Sequence, residues 1–303
     1  MNERAFQYLK SKGHWYFWTS LIALLPLLTF MLADYEFKHY SQIKLSWELE
    51  KIPPQDGKFA ALWFWFVGST IALSLLGTFS TSIVVKRLLQ LEWQRGLFVV
   101  AWVLAATVFV GYPPAEDSQA VDLFKIVGND LFSKALSNQM ILVPEQDAFK
   151  TFQAIYHGFT FYAALLSVIN ILGFAVCVPN RADSEHTADI SLPISNLNSC
   201  SMIVTIGVLQ LFAWLRLPSS SLTSADLISY QGITRSIVLF YSVVYVLIIA
   251  IAYWLTVHSF PEKESERVLR ATMKVMDWSA IKSLAAPIVA ALAATSIDVL
   301  IKN

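Results

Sequence analysis

The chain has 303 residues, of which 56% are hydrophobic and only 15% charged, and its 22 basic residues balance its 22 acidic ones. A soluble globular domain is typically about 45–50% apolar and about 25% charged, so the composition argues against a soluble enzyme. Because the net charge is zero, the chain has no overall attraction to nucleic acid or to an anionic surface. The apolar residues are concentrated in long runs, which predict an all-α multispanning transmembrane helical bundle.

Six apolar runs that contain no Asp, Glu, Lys or Arg predict six transmembrane helices, at residues 15–33, 59–85, 97–112, 158–178, 201–215 and 236–257. The first run follows basic residues, as in a signal peptide, but its length and the lack of a small-x-small cleavage site predict a retained helix. The segment 283–301 is alanine-rich and contains Pro287 and Asp298. It is either a cytoplasmic helix packed on its neighbours, or a seventh span or assembly helix at the centre of an oligomer.

These runs divide the chain into four parts. Residues 1–112 hold transmembrane helices 1–3, 113–157 an extramembrane acidic loop, 158–258 helices 4–6, and 259–303 a cytoplasmic amphipathic segment with the alanine-rich helix. If the N-terminus is inside, twelve Lys and Arg residues lie in cytoplasmic segments and nine in the opposite segments, which predicts a cytoplasmic N-terminus. The absence of Asn-x-Ser/Thr sequons from the sequence favours a bacterial inner membrane.

A stripe of small polar residues follows one face of the second run. It consists of Thr70, Ser74, Gly77 or Thr78, and Thr81, at helical spacings of three and four. In lipid, small and hydroxyl side chains let helix backbones approach each other and form hydrogen bonds. The stripe is therefore either a helix contact within the subunit or a pore-lining face whose hydroxyls solvate a passing ion.

Four further polar or reactive residues lie within or at the ends of the apolar runs. Asn170 in the fourth run and Gln210 in the fifth are amides that need partners in hydrocarbon, so they are expected to contact each other or to pair across a symmetry axis. Such residues form either a structural hydrogen bond or a polar constriction. Cys177 and Cys200 belong to no CxxC motif and are either free thiols at the membrane edge or a disulfide.

Two extramembrane segments carry charged groups that could bind ions or ligands. Hydrophobic residues at helical spacing predict one amphipathic helix in segment 113–157, which also carries six acids: Glu116, Asp117, Asp122, Asp130, Glu145 and Asp147. These acids form either an outer pore mouth that concentrates cations or a solvated cap. In the C-terminal part, Arg267, Arg270 and Lys274 share a helical face that meets anionic lipid, an anionic regulator such as a nucleotide or oligonucleotide, or only solvent.

The sequence contains no motif for catalysis, for a metal or for a cofactor. Its five histidines are scattered, and no HExxH, GxSxG, Walker loop or dinucleotide-binding glycine motif occurs. The chain is therefore expected to be no enzyme and to need no cofactor.

The sequence favours an oligomeric ion channel or pore-type effector that changes membrane permeability, such as a depolarising bacterial toxin or anti-phage effector. A solute transporter is less favoured, because the spans lack ionisable groups and the sequence lacks an internal repeat. A non-catalytic assembly or immunity subunit predicts the same features and remains open.

Overall fold

A computed structural model describes residues 14–28, 31, 57–111, 162, 165–166, 168–178, 191–216 and 224–260, with positions 265, 286, 288–289 and 293. These residues form six helices and no strand, so the prediction of an all-helical fold is confirmed for the described part. The helices are α1 (His14–Leu28), α2 (Gly57–Leu88), α3 (Trp93–Gly111), α4 (168–176), α5 (Ser191–Arg216) and α6 (Ser224–Ser259).

Three helices are long and apolar enough to cross a membrane. They are Phe64–Leu88 of α2, Leu192–Arg216 of α5 and Tyr230–Ser259 of α6. The apolar parts of α1 and α3, His14–Leu28 and Trp93–Ala106, are shorter, and the fourth predicted run lies only partly within the described residues. The prediction of six spans is therefore confirmed for three helices, which indicates a membrane protein.

The outer faces of the long helices are apolar. Phe64, Ile71, Leu75 and Phe79 are exposed on α2, and Val243, Leu247 and Trp254 are exposed on α6. Large contiguous apolar surfaces are unfavourable in water, whereas lipid acyl chains solvate them at no cost. These faces therefore fit a bundle that is surrounded by lipid.

Two helices begin well before the apolar runs that predicted them. α5 begins at Ser191 instead of residue 201, and α6 begins at Ser224 instead of residue 236. In the first turn of α5, Pro193 is tolerated because the backbone N–H that proline lacks would have no partner within the helix there. Asn196 is 5% exposed, so the first half of α5 places a polar side chain inside the bundle, and a search for apolar runs does not detect this part of the helix.

α2, α4 and α5 pack together, and their contacts fix the helix directions. α4 runs parallel to α2, because Asn170 lies beside Ser80 and Cys177 lies beside Arg87. α5 runs antiparallel to α2, because Trp214 near its end packs on Phe66 near the start of α2, with ring centroids 5.1 Å apart. Buried Leu73, Leu166 and Ile203 form a cluster between these helices.

The remaining helices pack around this three-helix core. Ala23 of α1 and Ala106 of α3 form a buried cluster with Val168 and Leu172 of α4. α6 packs on α4, where Thr256 Oγ1, which donates to the Ala252 carbonyl of its own helix at 2.8 Å, also lies 3.3 Å from the Phe174 carbonyl oxygen. At the other end of α6, the hydroxyl of Tyr230 donates to the Leu215 carbonyl of α5.

A hydrogen bond joins the first helix to the last. His14 Nε2 lies 3.1 Å from the Ser259 carbonyl oxygen, and Trp18 Nε1 donates to His14 Nδ1 at 3.3 Å. Because an indole N–H only donates and a carbonyl only accepts, the two bonds require the His14 tautomer that carries its proton on Nε2. The start of α1 and the end of α6 therefore lie at the same end of the bundle.

Candidate functional site

α2, α4 and α5 meet along a set of hydrogen-bonded, uncharged polar side chains, which we call the polar seam. The set also includes a helical residue just ahead of α4, Tyr162. Its members are Thr70, Thr78, Ser80, Tyr162, Asn170, Asn196, Cys200 and Gln210. Each contributes a hydroxyl, amide or thiol group, so the seam is polar without being ionic at neutral pH.

One end of the polar seam joins α5 to α2. Gln210 Nε2 donates to Thr70 Oγ1 at 2.6 Å, and Thr70 Oγ1 donates to the Phe66 carbonyl at 2.8 Å. The amide of Gln210 is therefore satisfied by α2, and the predicted contact between Gln210 and Asn170 is wrong within the subunit. Cys200 is level with Asn170, since its thiol donates to the Asn170 carbonyl at 3.3 Å, and Gln210 lies about 15 Å further along α5.

A second contact holds Tyr162 against α2. The Tyr162 hydroxyl donates to the Ser74 carbonyl at 3.3 Å and lies 2.9 Å from Thr78 Oγ1. Because a phenol carries one hydrogen, the Thr78 hydroxyl is the donor in the second bond. A Cβ atom added at Gly77 would clash with the Leu166 side chain, so this glycine permits a close approach between the helices.

The centre of the polar seam is a buried serine–asparagine pair. The hydroxyl of Ser80 donates to Asn170 Oδ1, and Asn170 Nδ2 donates to the Leu166 carbonyl at 2.7 Å. Both side chains are buried, so each bond satisfies a group that is costly to leave unpaired. The sequence interpretation missed Ser80, because Thr81 fits the three- and four-residue spacing equally well. Thr81 Oγ1 is buried without a hydrogen-bond partner among the described residues.

Asn196 lies where all three helices converge. Its Nδ2 donates to the Asn170 carbonyl at 3.3 Å. A Cβ atom added at Gly173 of α4 would lie 2.6 Å from Asn196 Oδ1 and 3.0 Å from Val84 Cγ2 of α2. Gly173 therefore leaves the space that the Asn196 amide occupies. The sequence interpretation included neither residue, although an asparagine preceding an apolar run could have been examined as part of the helix.

The two cysteines are free and buried, which confirms the free-thiol alternative. Cys177 is seven residues beyond Asn170, so it lies about 10 Å along α4 from the level of Cys200. A disulfide requires Cα atoms roughly 4.4–6.8 Å apart, so the pair cannot bridge unless the helices slide. Instead, the Cys177 thiol donates to the Gly173 carbonyl at 3.2 Å and accepts a 3.7 Å contact from Arg87 Nη1.

Several predicted sites lie outside the described residues. These are the acids Glu116, Asp117, Asp122, Asp130, Glu145 and Asp147, the basic face of Arg267, Arg270 and Lys274, and most of segment 283–301. Within the described part, no three His, Cys, Asp or Glu side chains are grouped so that they could hold a metal ion.

Comparisons with known protein families, curated proteins and solved structures find no match to this chain.

Proposed function

We propose that the chain forms a homo-oligomeric ion channel or pore-type effector that changes membrane permeability without an enzymatic step. The observation that carries this proposal is the polar seam, because it is uncharged and extends along helices that are long enough to cross a membrane. Channels conduct past hydroxyls, amides and carbonyls, and they do not require charged groups within the spans.

The length of α2 that makes polar contacts supports this proposal. These contacts extend from Thr70 through the Ser74 carbonyl, Thr78 and Ser80 to Arg87. Seventeen residues of α-helix correspond to about 25 Å, compared with about 30 Å for the hydrocarbon core of a bilayer. Polar groups are thus available at intervals over most of the membrane thickness.

The bonds of the polar seam suggest how a closed path would open. The hydroxyl and amide groups now bond to one another, as in the pairs Thr70–Gln210 and Ser80–Asn170. Interhelical hydrogen bonds of this kind contribute only about 0.6–2 kcal/mol each in membranes. Separation of α4 and α5 from α2 would therefore cost little per bond, and it would leave polar groups facing water.

The proposal also states which membrane holds the bundle and which segments form the outer mouth and the contacts between copies. The exposed apolar faces of α2 and α6 are available to lipid and to further copies of the chain. We propose a bacterial inner membrane with a cytoplasmic N-terminus, where opening of the channel would depolarise the cell as toxin or anti-phage effectors do. The acids of segment 113–157 would surround the outer mouth, and segment 283–301 would contribute to assembly.

The test is electrical recording from the purified full chain in planar bilayers of lipid alone. Thr70→Val and Ser80→Ala remove seam hydroxyls, and Ser82→Ala is the matched control, because Ser82 is exposed and donates to the Thr78 carbonyl of its own helix at 2.8 Å. We expect discrete currents, altered in unitary conductance or open probability by the two seam variants but not by the control. Silent bilayers together with a normal membrane potential in expressing cells would contradict the proposal.

A second candidate, a non-catalytic assembly or immunity subunit, is favoured by one observation. The polar seam bonds are satisfied within a single chain, as a purely structural contact requires. Such a subunit would remain electrically silent in lipid alone and would copurify with a membrane partner. The same recordings therefore distinguish the two candidates.

A further inference from the structure

The turn between α2 and α3 combines basic side chains with large exposed apolar ones. Lys86 and Arg87 are in the last turn of α2, and residues 89–92 connect it to α3. Leu89 is 80% exposed in the turn, and Trp93 is 71% exposed at the start of α3. Tryptophan and basic residues at the end of a span are typical of the headgroup layer of a membrane.

The charge of this turn is positive. Between residues 85 and 97 the basic residues are Lys86, Arg87 and Arg95, and the single acid is Glu92. Glu92 Oε2 lies 3.7 Å from Arg95 Nε, and the Arg95 guanidinium also stacks 5.2 Å from the centre of the Trp15 ring. Glu92 is therefore paired with a buried arginine, and among the described residues no acid forms an ion pair with Lys86 or Arg87.

Arg87 has spare hydrogen-bonding capacity. Within the described part of the chain, its one hydrogen bond goes from Nη1 to Cys177 Sγ at 3.7 Å. A guanidinium has five N–H donors, and sulfur is a weak acceptor. Arg87 is half-buried and Lys86, next to it, is exposed. The pair thus offers several donors to the oxygens of a phosphate, the anion whose shape a guanidinium fork matches.

Exposed apolar side chains, which we call the apolar strip, lie beside Lys86 on α2 and over the first turns of α3. Val85 and Leu89 are exposed at the end of α2, and Trp93 and Leu97 are exposed over the first turns of α3. A soluble phosphate would leave these side chains uncovered, whereas a phospholipid would cover them with its acyl chains. The combination of positive charge and apolar strip fits an amphiphilic anion better than a soluble one.

We propose that the α2–α3 turn is a binding site for an anionic glycerophospholipid. The phosphate accepts hydrogen bonds from Arg87 and Lys86, and the acyl chains lie along Val85, Leu89, Trp93 and Leu97. The site requires a membrane-embedded bundle but does not depend on whether the bundle conducts ions.

The test is native mass spectrometry of the purified full chain with phosphatidylglycerol and with phosphatidylcholine of the same acyl chains. We expect the wild type to prefer phosphatidylglycerol. The double variant Lys86→Gln/Arg87→Gln should bind it about 25-fold more weakly, since each basic residue near a membrane surface contributes about 1 kcal/mol. Lys58→Gln, which removes a charge in the first turn of the same helix, is the matched control and should retain the preference.

Two further variants separate the parts of the site. Arg87→Lys keeps the charge and should retain the preference for phosphatidylglycerol. This conservative variant also provides a second measurement at Arg87 in case the double variant fails to fold. Trp93→Ser should weaken the binding of both lipids alike, because it removes apolar contact and not charge. Inorganic phosphate and glycerol phosphate should not compete with the lipid.

Any of three results would overturn the proposal. These are equal binding of the two lipids by the wild type, an equal loss in Lys58→Gln and in the double variant, and competition by soluble phosphate at the affinity of the lipid.

Discussion

The convergence of three helices at Gly173 gives a sharp test of the packing. A Cβ atom at this position would lie 2.6 Å from Asn196 Oδ1, about 0.8 Å closer than the 3.4 Å at which ordinary contact begins. Val84 Cγ2 at 3.0 Å limits movement on the other side. Gly173→Ala must therefore displace the Asn196 amide and weaken its bond to the Asn170 carbonyl.

The expected size of this effect follows from three contributions. Overpacking a tight core costs about 1–3 kcal/mol, and loss of the Asn196 bond adds about 0.6 kcal/mol in a membrane. Replacing a helical glycine by alanine stabilises the helix by about 0.5–1 kcal/mol, which offsets part of this loss. We expect Gly173→Ala to lower the free energy of unfolding by about 1–3 kcal/mol.

The measurement is equilibrium unfolding in mixed micelles with increasing dodecyl sulfate, with Gly207→Ala in α5 as the matched control. A Cβ atom at Gly207 meets nothing within 4 Å, so that variant should be as stable as the wild type or slightly more stable. If Gly173→Ala proved no less stable than Gly207→Ala, the close contact between α4 and α5 would be refuted.

Three further predictions concern the polar seam and the thiols. Ser80→Ala leaves Asn170 Oδ1 without its donor and should lower the free energy of unfolding by about 1–2 kcal/mol in the same assay. Cys177 and Cys200 should resist maleimide in the folded protein, react after unfolding, and form no disulfide with a mild oxidant, as mass spectrometry would show. Thr78→Leu should lower the single-channel conductance while leaving the oligomer size on gel filtration unchanged.

Each of these predictions has its own control or contradicting result. Ser69→Ala removes a hydroxyl whose bonds, among the described residues, go to carbonyls of its own helix, so an equal loss of stability there would argue against the Ser80 pair. Rapid labelling of either thiol in the folded protein would contradict its burial. Unchanged current in both Thr78→Leu and Ser74→Leu would remove α2 from the conduction path.

The sequence allowed prediction of the helical class and of the spans in α2 and α6, because their uninterrupted apolar runs are long enough to cross a bilayer. It could not fix the rotation of α2. Hydroxyls occur at both Ser80 and Thr81, and only the position of Asn170 on α4 shows that Ser80 faces it. The extent of α5 was underestimated for a related reason. Asn196 is polar yet buried. Its partners lie on other helices, and sequence periodicity does not reveal how far those helices are shifted along their axes relative to α5.

The role of Tyr162 was equally inaccessible from the sequence. A tyrosine near the start of an apolar run is typically an interfacial anchor, whereas here its hydroxyl bonds to α2. The expected pair of Gln210 and Asn170 was wrong because both amides found nearer partners. The sequence therefore indicated which polar residues form hydrogen bonds between helices. Their pairing depended on the axial shift between antiparallel helices, which the sequence does not give.

The bond between His14 and Ser259 has a consequence for biosynthesis. Its two residues are 245 positions apart, so α1 leaves the ribosome long before its partner on α6 exists. During that interval His14 keeps its bond from Trp18 of the same helix, but its Nε2 lacks the carbonyl oxygen that Ser259 later provides. Completion of the bundle is thus a late event. A truncated chain that ends before α6 would leave uncovered the surfaces that α6 contacts, where cellular quality control would recognise them.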